Sequence, residues 1–302
     1  MSKIKIELPD GTETECIHAY GLTYNAVVQK FFKDTDLKTH IEEIRDLEIR
    51  DDDIYLATFP KCGTHWVWEI LVMLKRGDAE YDTREKETLF LDFKSSKEVD
   101  KSPSPRVLNC HYPSKLLPKG VLQKGTKIVH VMRNPKDAFV SYYHHHKTFK
   151  TGPLAQSFDK YLPLMTGDYG IYMFYPWFTY VKEWERFTKA HPKQILNLFY
   201  EDLKEDPVRE IKKINNFLDT GRSDELVKDI AKACDFQNLK KADAEVKIKE
   251  DPKKPAGKPS PMYRKGQVGD WKNHFTVAQN EMFDEWLAEN LIDTDLKFRY
   301  TL

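Results

Sequence analysis

Residues 55–71, YLATFPKCGTHWVWEIL, decide the fold of this chain. An apolar run from Tyr55 to Phe59 stops at Pro60, and a second, Trp66 to Leu71, starts six residues later. The first belongs to a short, mostly apolar stretch, Ile54–Phe59, as a strand buried on both faces does; the pattern over Val67–Lys75 is helical. The loop between them contains Lys61, Gly63, Thr64 and His65. A loop leading from a buried strand into a helix offers unpaired backbone N–H groups and the positive end of the helix dipole. That makes it a natural anion site. Lys61 adds a mobile charge and Thr64 a hydroxyl donor.

The pattern recurs. Lys127–Met132 (KIVHVM) precedes RNPKDAFVSYYHHH, where Pro135 suits a first helical turn. Gln194–Tyr200 (QILNLFY) precedes EDLKEDPVREIKKINNFL, with Asp206 as N-cap and Pro207 as first helical residue. A longer helical pattern covers about Tyr172–Ala190. Strands alternating with helices predict a single α/β domain over residues 1–302. Its central parallel β-sheet is flanked by helices and carries a P-loop-like strand–loop–helix. Ligands of such sheets bind beyond the carboxyl ends of the strands, and Lys61 and Arg133 each follow one.

At the N-terminus, MSKIKIELPDGTETECI alternates around Asp10-Gly11 and predicts a hairpin within residues 1–20 rather than a signal peptide. Lys247–Gly266 is rich in proline and lysine without an apolar period, which predicts an irregular, mobile, lid-like loop. Helical character returns over Val277–Leu291.

Lys+Arg and Asp+Glu are both 48, so nothing in the charge balance favours nucleic acid or a membrane surface. No apolar run approaches a membrane span. Cys16, Cys62, Cys110 and Cys234 make neither a CxxC pair nor a disulfide framework, and a cytoplasmic location is expected. Aromatics at 13% fit an aromatic-lined pocket and a large core equally well.

Three stretches suit anions. The first is the Lys61 loop, shorter than the GxxxxGK[ST] of nucleotide triphosphatases and with its lysine ahead of the glycine. The second is Arg133, with Ser141 two turns into the following helix. The third is Tyr263–Thr276, where Arg264 and Lys265 stand beside two glycines. Each alone reads as a solvated turn. Together they predict a ligand with more than one phosphate-like group.

These stretches are where the chain resembles the cytosolic sulfotransferases, on FPKCGTHW, RNPKDAFVSYY, FYEDL and RKGQVGDWKNHFT, from about residue 40 to the C-terminus. The resemblance implies a single α/β domain. It also implies transfer of a sulfuryl group from 3′-phosphoadenosine 5′-phosphosulfate (PAPS) to a hydroxyl or amine, leaving 3′-phosphoadenosine 5′-phosphate (PAP). Lys61, Cys62, Gly63, Thr64, His65 and Trp66 would hold the 5′-phosphosulfate, with Trp66 against the adenine. Arg133, Ser141, Arg264, Lys265 and Gly266 would hold the 3′-phosphate; Tyr200, Cys234 and Phe236 complete the nucleotide site. His111, in LNCHYP, matches the general base, expected near its unperturbed pKa of about 6.5. Asn109 stands where the family commonly has a lysine and is expected to donate a hydrogen bond near the sulfonate instead.

Phe90 and Phe93 of TLFLDF, with His145, match positions around the acceptor, a small-molecule phenol, alcohol, steroid or amine. Lys272, Thr276, Val277 and Glu281 reproduce a KxxxTVxxxE dimerisation pattern, implying a homodimer. No metal is required, and the successive His144, His145 and His146 fan around a helix rather than converge. Two rivals remain. Asn109 keeps a noncatalytic nucleotide or small-molecule binder open. A small-molecule kinase would need the missing glycine-rich loop and an acidic magnesium ligand, for which Asp202 is the nearest candidate.

Overall fold

The computed structural model describes residues 2–8, 11–32, 35–167, 174–247 and 257–302. Strands β1 (Ser2–Glu7), β2 (Glu13–Ala19) and β3 (Leu22–Asn25) form an antiparallel sheet in that order, so the N-terminal hairpin gains a third strand. A 3₁₀ turn, Ala26–Phe32, follows directly. Neither it nor β3 was legible in the sequence.

The main sheet holds β4 (Ile54–Thr58), β5 (Val107–Cys110), β6 (Ile128–Met132) and β7 (Ile195–Phe199), all parallel, in spatial order β5-β4-β6-β7. This is the expected α/β architecture. Alternation across each strand divides the core. Tyr55, Ala57, Leu108 and Ile128 pack on one face, while Ile54, Leu56, Val107 and Val129 pack on the other. A strand covered on both sides has no polar face, which is why Ile54–Thr58 reads as an unbroken run. Buried Arg106 closes the amino end of the sheet, donating to Asp53 at 2.8 and 2.6 Å.

Helix Thr64–Arg76 packs on the sheet and donates from Trp68 Nε1 to the Val107 carbonyl at 3.0 Å. It ends at Gly77, whose φ of +85° suits glycine. Helix Pro135–Phe149 starts behind Asn134, whose side chain accepts from Asp137 N–H. Helix Pro207–Leu218 is capped by Asp206 as expected. The helix expected from about Tyr172 starts instead at Trp177, with Pro176 at its N-cap in a non-helical conformation (ψ 129°); residues 172 and 173 lie outside the described residues. So do residues 248–256, nearly half of the expected lid. Among the described residues no helix is long and apolar enough to cross a membrane, and all four cysteines are free and buried.

Candidate functional site

The carboxyl ends of the parallel strands open onto a cavity of about 560 Å³. Pro60 ends β4, and the loop turns through Lys61 (φ +69°) and Gly63 (φ +99°) into helix Thr64–Arg76. A Cβ at Gly63 would meet the Tyr200 ring at 3.0 Å, so glycine serves both the backbone and the close approach. Lys61, Gly63, Thr64, His65 and Trp66 all line the cavity. Cys62 does not. Its side chain is buried in the core, with its thiol 3.9 Å from the Pro60 carbonyl, and its backbone N–H is spent on Phe59 at 3.2 Å. The expected cofactor contact at Cys62 is therefore corrected. A residue at the inner turn of such a loop faces the sheet, not the ligand.

Burial, aided by Lys86 and Arg133, pushes the Lys61 pKa down to about 7. The Arg133 guanidinium ties two anion-suited stretches together, donating to the carbonyls of Lys61 (3.1 Å) and Gln267 (2.9 Å) and lying 4.2 Å over the Tyr200 ring. Among the described residues its Nε is buried without a partner, as is Arg264 Nε. Arg264 and Lys265 share Asp270 at 2.7 and 2.6 Å. Burial opposes ionisation of Asp270, yet hydrogen bonds from Lys265, Asn273 and Arg264 hold it well below the usual carboxylate range. Asp270 therefore fixes both cations beside the cavity, which Ser141, Cys234 and Phe236 also line.

Gly266 sits at φ +64°, and a Cβ there would come within 2.2 Å of the Phe236 ring. Gly266→Ala should thus displace Phe236 and weaken nucleotide binding by about tenfold or more, since a non-glycine left-handed conformation alone costs about 1–3 kcal/mol. Titration calorimetry with PAP checks this.

His111 follows β5, whose chain direction delivers it to the cavity. Its backbone N–H donates to the Asp92 carboxylate (3.0 Å), and its Nδ1 lies 2.8 Å from the Thr58 carbonyl. A carbonyl only accepts, so Nδ1 carries the proton and Nε2 is the free lone pair. The rings of Phe90 and Phe174 each stand 5.0 Å from the imidazole, edge to face. Burial, with Lys86, Lys61 and His65 nearby, holds the His111 pKa well below 6.5 rather than near it. Phe90, Phe93 and His145 line the same end of the cavity, with Val28 and Phe31 from the N-terminal 3₁₀ turn.

Asn109 is another correction. It is fully buried, and both amide hydrogens go to the carbonyls of Lys86 (2.9 Å) and Leu89 (3.0 Å), leaving no donor for a ligand. The charged turn it holds, Lys86–Leu89, escaped the sequence reading because a run such as REKET looks like a solvated surface. Lys272, Thr276, Val277 and Glu281 lie away from the cavity, exposed on the surface. Thr276 caps helix Val277–Leu291 in a reciprocal capping box with Gln279. Among the described residues no His, Cys, Asp or Glu cluster is arranged to hold a metal.

The arrangement suits a ligand with separated anionic groups and a planar ring, in a cavity also lined by the aromatic rings around His111. The family described as the sulfotransferase domain matches residues 51–295. Sulfotransferase 1A1 of Rattus norvegicus is 37% identical over 289 residues, covering 90% of this chain and 94% of that protein. Sulfotransferase 1B1 of Canis lupus familiaris is 37% identical over 298 residues, 94% of each. Among solved structures, mouse sulfotransferase SULT7A1 complexed with PAP superposes with a TM-score of 0.72 at 27% identity, covering 93% of this chain and 96% of that one. Retinol dehydratase in complex with androsterone and PAP shares the fold, with a TM-score of 0.70 at 21% identity over 98% of this chain and 92% of that one.

Proposed function

The chain belongs to the sulfotransferase family, and from that premise we propose that its cavity holds PAPS beside a small-molecule hydroxyl or amine, with His111 as general base. PAPS-dependent sulfuryl transfer is its activity. The residues present fit the donor. Lys61, Arg133, Arg264 and Lys265 supply separated cations, two buried guanidinium Nε atoms lack partners, and Trp66, Tyr200 and Phe236 supply ring faces. Bound there, PAPS supplies a sulfuryl group on a phosphate leaving group.

The observation that carries the mechanism is the 2.8 Å approach of His111 Nδ1 to the Thr58 carbonyl, which can only accept. With Nδ1–H committed to Thr58, Nε2 is free to take the acceptor's proton as its oxygen or nitrogen bonds to sulfur. The Thr64 hydroxyl lies 2.7 Å from that of Thr58, linking the loop to the base. Lys61, which lines the cavity, would neutralise charge on the departing 5′-phosphate, and positioning plus electrostatics dominate. Incubation with sulfur-labelled PAPS and a panel of phenols, alcohols, steroids and amines tests the reading. Label should reach at least one acceptor, and His111→Ala should lose it. Failure of every acceptor would overturn the proposal.

We also assign the exposed Lys272, Thr276, Val277 and Glu281 to a homodimer contact, and a cytoplasmic location agrees with four free thiols. Val277 is an apolar side chain 75% exposed at a helix start, an arrangement that a partner surface would relieve. Sedimentation at micromolar concentration should give a dimer, and Val277→Glu should shift it toward monomer without loss of PAP binding. A monomeric wild type would refute the assignment.

A further inference from the structure

Lys86 is buried, 5% exposed, yet lines the cavity, and no sequence motif points to it. It opens the 3₁₀ turn Lys86–Leu89, which is fastened to β5 by several bonds. Asn109 donates to the carbonyls at both ends of the turn (2.9 and 3.0 Å), and its own backbone carbonyl accepts from Leu91 N–H at 2.9 Å. The Asn109 Oδ1 faces Lys86 Nζ at 3.4 Å. On another side the ammonium lies 4.2 Å from the centre of the Phe90 ring, whose edge-to-face neighbour at 5.0 Å is His111. Its carboxylate partner, Glu87 at 3.3 Å, is shared with His65 Nε2 at 3.0 Å. The ammonium is thus desolvated, fixed by a rigid amide and only partly compensated. Burying such a charge is costly unless a further anion arrives.

We propose that Lys86 is the second cation of the transfer point, facing the sulfuryl oxygens and the His111 ring while Lys61 serves the leaving phosphate. This deepens the functional reading above and rests on it. Charge spreads over the sulfuryl oxygens as the old S–O bond lengthens, and a fixed cation there acts when that charge grows. The same cation disfavours protonation of His111 before the acceptor's proton arrives. The charged or titratable groups facing His111 are Lys86 from the 3₁₀ turn, Asp92 beyond it, Lys61 and His65 from the loop, and His145 from helix Pro135–Phe149. Asp92, buried, has its carboxyl pushed up to about 7. Lys86 supplies a positive charge in this group, and the one carboxylate paired with it, Glu87, also contacts His65.

Lys86→Met and Lys86→Gln, the second keeping a polar group beside Asn109, test the proposal in the full-length protein. Both variants should bind PAP as wild type does. With an acceptor that wild type sulfates, kcat should fall about tenfold or more while acceptor KM changes little. Nuclear magnetic resonance titration of the His111 ring in protein without nucleotide should show its pKa rising by about half a unit or more. A kcat within about twofold of wild type, an effect confined to acceptor KM, or an unmoved His111 titration in either folded variant overturns the proposal. If wild type sulfates nothing, the functional reading fails, and the His111 titration still decides whether Lys86 faces that ring.

Discussion

His111→Ala should lower sulfuryl transfer by about 10²–10⁴-fold at neutral pH while leaving PAP affinity nearly intact. The ring lines the cavity between Phe90 and Phe174, and its Nδ1 lies 2.8 Å from the Thr58 carbonyl, which leaves Nε2 as the lone pair. Removing it deletes the proposed proton acceptor but none of the proposed nucleotide anchors, so the loss should appear in kcat. The pH profile sharpens the test. Because burial and neighbouring cations lower the His111 pKa, the base stays unprotonated to a lower pH than an ordinary histidine. The acidic limb of kcat/KM, which reports the free enzyme, should therefore lie below pH 6.5, and His111→Ala should abolish it. Turnover retained by the variant at neutral pH would refute the assignment.

Lys61→Ala should lower kcat by about 10²–10³-fold and weaken PAP binding much less. Lysine and alanine both carry a Cβ at the left-handed φ of +69°, so the backbone strain of the loop is the same in both. What disappears is the cation proposed to act on the leaving phosphate. Lys61 also has a signature in wild type. With its pKa near 7 in the free protein, the amine is substantially neutral above pH 7. A bound phosphate favours the charged form, so PAP binding at pH 7–8 should take up protons. Calorimetry in buffers of different ionisation enthalpy measures that uptake, and Lys61→Ala should reduce it. Equal losses in kcat and PAP affinity would make Lys61 an anchor rather than a group acting in the transition state.

Both predictions begin from features visible in the chain. The unbroken run Ile54–Phe59, the stop at Pro60 and the helical pattern after it were legible because a doubly covered strand leaves no polar positions. The Asp206-Pro207 helix start was legible because caps are local hydrogen bonds between near neighbours. The cationic stretches were legible as types, although nothing local showed that Arg133 would bind the carbonyls of Lys61 and Gln267.

Position 109 shows the limit. As a letter, Asn109 reads as a donor available near the sulfonate; in the fold its donors close the turn Lys86–Leu89 and its oxygen faces a lysine 23 residues away. Cys62 likewise matches a binding loop by position and faces the core by geometry. The sequence by itself determined the parallel sheet, the anion loop beyond the carboxyl end of a strand and a ligand with more than one phosphate-like group, because strand burial, turn residues and caps are short-range constraints. Only the tertiary structure decided which side chains reach the cavity, which histidine nitrogen is free and where the buried cation at the acceptor end comes from. Those depend on contacts between segments far apart in the chain, whose directions no local pattern encodes.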